Sequence, residues 1–136
     1  SLIDVANNSS EELARAETVT ILNDLCLFAP SWLSDPRLTW EPIDHSSARV
    51  TFANGPYVVS ATLVINELGE VINFISDDRA AMQLDGTLQK LRWSTPMSEY
   101  RDFNGRRYPT FGRANYDYPT GPFTYGIFRV RDVRVN

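Results

Sequence analysis

Cysteine is nearly missing from this chain, with Cys26 the single thiol in 136 residues. One thiol excludes an intramolecular disulfide and a cysteine-based metal cluster. It also fits a reducing compartment, so the cytoplasm is the location expected. Histidine is just as scarce, since His45 stands alone in a run of turn residues beside Asp44. With one His, one Cys and no G-x-S-x-G run, nucleophilic catalysis has no recognisable setting. Metal binding needs several ligands converging, and Asp77 and Asp78 are adjacent on a strand, where neighbours point to opposite faces. Phosphate-cradling glycine loops are absent. No catalytic residue, metal or cofactor is therefore expected.

Long apolar runs are also lacking, and nothing approaches the roughly 20 residues of a transmembrane helix. The opening SLIDVANNSS has no basic stretch followed by an apolar block, so no signal peptide is expected. It does not begin with Met, which fits a segment of a longer protein. Lysine is confined to Lys90, which leaves the basic charge to arginine. A net charge of −4 argues against nucleic acid as the main partner. That sum hides an asymmetry. Residues 1–90 hold 13 acids and 5 bases, whereas residues 91–136 hold 4 acids and 8 bases. The second part thus offers basic charge to an anionic headgroup or partner.

What is present reads as one domain spanning residues 1–136. Ser9 with Glu12 three residues later fits a capping box, and the helix is expected from about 9 to 28, short of Pro30. Ala14, Thr18, Ile21, Leu22, Leu25 and Phe28 share one face of it. Its last two turns are apolar nearly all round, so that end is expected to be deeply sandwiched, with Asn23 and Asp24 in capping or surface roles. Residues 30–36 form a connector bracketed by prolines, with one short helical turn. From Leu38 the period becomes two, and antiparallel strands follow to about residue 135. Pro42 marks a short, bent or edge strand. Turns fall at Asp44–Ser47, Asn54-Gly55 and Asn66–Gly69. Residues 80–90 read as a loop over one end of the sheet. A long hairpin, 91–103 and 106–117, turns at Asn104-Gly105. The expected fold is α+β, with an N-terminal helix packed on a curved antiparallel meander of six to seven strands.

Aromatic residues make up 12% of the chain and crowd into its later half, where several alternate with arginine. A sheet face of this kind can hold an apolar ligand with an anionic head. The same rings can equally be core beneath the helix, with arginines stacked on exposed sheet.

The runs Trp40-Glu41-Pro42-Ile43-Asp44, Ala48-Arg49-Val50-Thr51 and Asp77-Asp78-Arg79 precede Tyr100-Arg101-Asp102-Phe103-Asn104-Gly105-Arg106-Arg107-Tyr108-Pro109. Together they resemble a bacterial family of unknown function with the pattern W-E-P-x-D … Y-R-x-F-x-G-x-R-x-P and a closing G-x-F-x-Y, here Gly121 to Tyr125. The match covers most of residues 10–135. The chain departs from the family at Thr95-Pro96, which follows Trp93 instead of preceding a Trp, and at Tyr116, where many members carry Trp. Members are about twice as long, so the resemblance implies that this is a C-terminal half. More loosely, the architecture is similar to the half-open barrels of bacterial lipoprotein carriers, which enclose acyl chains. That likeness is one of fold alone.

Three functions follow as expectations. The first is a non-enzymatic binding module for a lipid or other hydrophobic small molecule, with Trp40, Arg79, Trp93, Tyr100, Arg101, Arg106, Tyr116 and Tyr125 as ligand-binding residues. The second is an enzyme with a strand-end carboxylate site at Glu41 and Asp44. The third is an interaction domain that forms a homodimer or docks on an upstream half. An open apolar cavity lined by Trp93, Tyr116 and Tyr125 favours the first. Convergence of Glu41 or Asp44 with His45 or Arg79 in a buried cleft favours the second.

Overall fold

The computed structural model describes residues 2–28 and 35–131. The chain opens with α1, Leu2–Phe28. It starts well before Ser9, so the expected capping box is not the helix start. No glycine or proline interrupts residues 2–28, and an internal Ser costs only a few tenths of a kcal/mol relative to a good helix former. The proline-bracketed connector, with its expected helical turn, lies largely outside the described residues.

The strands are β1 (Leu38–Asp44), β2 (Ser47–Asn54), β3 (Tyr57–Ile65), β4 (Val71–Ser76), β5 (Ala80–Met82), β6 (Leu88–Lys90), β7 (Arg92–Ser94), β8 (Met97–Phe103), β9 (Arg106–Tyr118) and β10 (Gly121–Arg129). The main sheet runs β1-β2-β3-β4-β7-β9-β10, all neighbours antiparallel. β8 pairs the other end of β9 from β7, across the break at Thr95-Pro96, so the sheet is seven strands wide. It curls strongly into a half-barrel, and the fold is α+β, mostly sheet, as the order of elements predicts.

The turns follow side-chain chemistry. Asn104 (φ 55°) and Gly105 (φ 86°) both have positive φ, the signature of a type I′ hairpin whose twist matches that of the flanking strands. The β2–β3 turn is displaced by one residue from Asn54-Gly55. Asn54 pairs with Tyr57 in the ladder, which leaves Gly55-Pro56 as the loop. Residues 80–90 are not the expected loop, because β5 and β6 pair as a small ribbon around Asp85-Gly86. Asp85 accepts from the Thr87 amide and hydroxyl there.

Alternation sets the concave face. Val50, Phe52, Val59 and Phe74 are fully buried, and Ala61, Leu63, Trp93 and Tyr116 nearly so. Fully burying a side chain of this size contributes roughly 1.5–3 kcal/mol. The helix lays Val19 and Leu22 onto this face. Its buried side is Ala16, Thr18, Val19, Leu22, Asn23 and Leu27, which keeps Thr18 and Leu22 of the expected face but brings in Val19 and Asn23 and turns Ile21 outward. Ile21 is 45% exposed, so the last turns are not sandwiched all round. Three polar contacts fasten the helix to the sheet side. Arg15 Nη1 donates to the Val58 carbonyl (3.1 Å), Arg79 Nη1 to Thr20 Oγ1 (2.6 Å) and Asn23 Nδ2 to Thr95 Oγ1 (2.6 Å).

Candidate functional site

Helix and sheet part on one side. Between α1 and the β9–β10 hairpin lies an open pocket of about 510 Å³. That volume falls within the roughly 300–1,000 Å³ typical of small-molecule sites. α1 contributes Thr20, Asn23, Asp24 and Leu27 on successive turns, which share a side because residues three and four apart are neighbours on a helix. Arg79, Trp93 and Thr95 line it from the centre of the sheet, and Arg113, Ala114 and Tyr125–Phe128 from β9 and β10.

A linked set of aromatics forms its inner wall. Trp93 meets Phe74 edge-on, with ring centroids 5.9 Å apart. Its Nε1 donates to the Tyr125 hydroxyl at 2.7 Å. Tyr125 stacks on Tyr116 at 5.1 Å. The position of Tyr125 depends on a β-bulge. Thr124 pairs Asn115 and Gly126 pairs Ala114, which leaves Tyr125 as an extra residue without a partner on β9. A bulge of this kind re-aims a side chain that strict alternation would fix elsewhere.

Arg79 sits against this wall. Its guanidinium lies 4.4 Å from the Trp93 ring centroid and 5.9 Å from that of Tyr116. Nε donates to the Tyr116 hydroxyl at 3.2 Å, and Nη1 to Thr20 Oγ1 at 2.6 Å. Thr20 can accept because its own hydroxyl donates back to the Ala16 carbonyl. Arg79 is half-buried, and among the described residues no carboxylate pairs with it. A guanidinium has five N–H donors, and these two bonds use two of them. What remains is a positively charged donor edge in a largely apolar pocket, a setting suited to a planar anion. Burial raises the Tyr116 phenol above its ordinary value, while the Arg79 charge opposes that shift. Asp24 is exposed at the rim, yet the packing beside it desolvates its carboxyl enough to raise its pKa.

Of the residues expected from the sequence, Arg79, Trp93 and Tyr125 line the pocket, with Tyr116 directly behind them. The others lie elsewhere. Trp40 packs at the edge of the core on β1. Tyr100 donates to the Val71 carbonyl at 2.7 Å beside a separate hollow, and burial pushes its phenol up to about 12. Arg101 and Arg106 are exposed near the hairpin tip. Glu41, Asp44 and His45 are exposed on or beside the edge strand β1, and none lines the pocket. Asp44 is occupied by the turn, accepting from Ser46 and Ser47, which lowers its pKa.

Thr20, Asn23, Thr95 and the β10 residues Gly126, Ile127 and Phe128 were not among the residues expected from the sequence. The available signal was Asn23, a polar residue between apolar neighbours on the face that α1 buries. It is 5% exposed and serves neither as a cap nor on the surface. Among the described residues no group of three or more His, Cys, Asp or Glu side chains could hold a metal ion, and no helix is long and apolar enough to cross a membrane.

Fold and site together define an α+β half-barrel with an apolar, arginine-bearing pocket beneath α1. The chain belongs to DUF6544, a family of unknown function whose match spans residues 1–128. No curated protein and no solved structure matches it.

Proposed function

We propose that this domain is a non-enzymatic binding module that holds a lipid-like molecule with an apolar body and one anionic group in the pocket between α1 and the β9–β10 hairpin. The observation that carries this reading is Arg79, a half-buried guanidinium stacked on Trp93 with no carboxylate partner among the described residues. A cation withdrawn from water without a counter-ion favours the arrival of an anion. Leu27, Ile127 and Phe128 provide apolar surface for the rest of the molecule.

Calorimetric titration with laurate and with lauryl alcohol tests this. A charge-assisted hydrogen bond contributes about 1.5–3 kcal/mol, so Arg79→Met should weaken laurate binding by roughly 10- to 100-fold. It should leave the weaker binding of the alcohol nearly unchanged. Native mass spectrometry of the purified protein should find a retained acidic lipid-like species. Failure of laurate to bind the folded wild type, or equal binding by the variant, would sink the proposal. A second reading, association with another copy, is favoured by Phe123, Tyr125 and Ile127, which are 57%, 48% and 64% exposed along β10. The same mass spectra report that state.

A further inference from the structure

Asn23 is 5% exposed and Thr95 4%, and both line the pocket. Among the described residues their side chains satisfy only each other. Asn23 Nδ2 donates to Thr95 Oγ1 at 2.6 Å, and neither side chain has another partner among the described residues. Such a bond uses one end of the amide. Whichever way the amide is turned, its other end has no hydrogen-bond partner among the described residues. As assigned, the Asn23 carbonyl oxygen is an uncommitted acceptor and the Thr95 hydroxyl retains an uncommitted proton. Buried polar groups are nearly always paired, so two in one pocket wall point to a ligand group that completes them.

The position of the pair says where on the ligand that group lies. Thr20, which carries the Arg79 guanidinium, and Asn23 are three residues apart on α1, about 4.5 Å along the axis. Leu27 lies about 6 Å further on. A molecule lying along the helix therefore meets a cation, then a neutral donor–acceptor pair, then apolar surface. We infer that the pocket selects acyl chains that carry an N–H or O–H group within a few bonds of the anion, such as an amide-linked carboxylate or a hydroxy acid, over plain fatty acids. This inference rests on the anion-binding reading above and specifies the ligand of that same site.

Competition calorimetry with laurate, N-lauroylglycine and 3-hydroxylaurate distinguishes the two sources of the group. One added neutral hydrogen bond in a desolvated site gives about tenfold in affinity. At least one functionalised ligand should bind the wild type about tenfold more tightly than laurate. The near-isosteric Asn23→Leu should bring that preference to within about twofold while retaining laurate. If Asn23→Leu does not fold, Thr95→Val serves as the second variant with the same expected outcome. Equal binding of all three by the wild type, or a preference that survives in both variants, overturns the inference. In either case laurate still binds and the anion site stands. Binding of none of the three overturns both.

Discussion

Gly112 on β9 is where the site is most sensitive to a single methyl group. A Cβ built there would lie 2.2 Å from Phe128 Cε1, 2.4 Å from Phe128 Cζ and 2.6 Å from Met97 Sδ. Comfortable contacts begin near 3.5 Å, so the ring must retreat by more than about 1 Å with the sulfur against it. Overpacking of this kind costs about 1–3 kcal/mol, and expelling the ring forfeits a similar amount of burial. Gly112→Ala should therefore destabilise the domain by about 2 kcal/mol, a fall in Tm of about 6–10 °C for a chain of this length. Thermal unfolding followed by circular dichroism reads this directly. Gly126→Ala is the control on the facing strand. Its Cβ would meet only the Ala114 Cβ at 3.5 Å, an ordinary contact. Removing a glycine there should be neutral or stabilising by up to about 1 kcal/mol. Phe128→Ala should relieve most of the Gly112→Ala penalty, giving strong coupling in a double-mutant cycle. Equal stability of the two alanine variants, or additivity in the cycle, would refute the packing account.

Two further outcomes follow from local geometry. Gly105→Ala places a Cβ at φ 86°, where an L-residue pays roughly 1–2 kcal/mol, so the urea midpoint should fall while Gly105→Asn falls less. An unchanged midpoint for the alanine would contradict the type I′ assignment. Burial pushes the Cys26 thiol from 9.0 up to about 12, which favours the neutral form in the folded state. Its contribution is complete below pH 9 and is lost as pH rises from 9 towards 12, so Cys26→Ala should flatten the alkaline limb of stability against pH. The native thiol should resist a disulfide reagent at pH 8 and react once urea is added. Rapid labelling without urea would count against this.

The sheet was legible because its signals are local. Val50 and Phe52 alternate with Arg49 and Thr51, and Asn104-Gly105 admits few conformations other than the turn it forms. Helix extent was less legible, since residues 2–8 contain nothing that forbids a helix and little that demands one. The helix face was legible only in part: Thr18 and Leu22 are buried as expected, but residues 21–28 are apolar nearly all round, so periodicity alone could not say whether Ile21 or Asn23 meets the sheet. Tertiary contact with Thr95 decided it. The pocket depended on events that no local pattern encodes. The bulge at Tyr125 is a register shift against β9, visible only once both strands are paired. Arg79 was readable as a candidate, but that no carboxylate among the described residues pairs with it was not. The pairings of Arg37 with Asp35, Arg92 with Asp77, Arg107 with Glu70 and Arg129 with Glu99 emerge only from the fold.

The bulge in β10 has a second consequence, for the behaviour of the protein in concentrated solution. A half-barrel has two free margins, and among the described residues β1 and β10 are those margins. A long, flat, apolar margin is a template on which further chains can crystallise as cross-β. β1 carries Pro42, which offers no amide to a newcomer, and its ladder with β2 shifts just beyond that residue. β10 has exposed Phe123 and Ile127 and lacks such a stop in its middle, so the extra residue at Tyr125 is what breaks its straight row of backbone groups. The irregularity that turns one ring toward the pocket thus also spoils the edge as a surface for filament growth. Restoring ideal register there would be expected to cost both properties together.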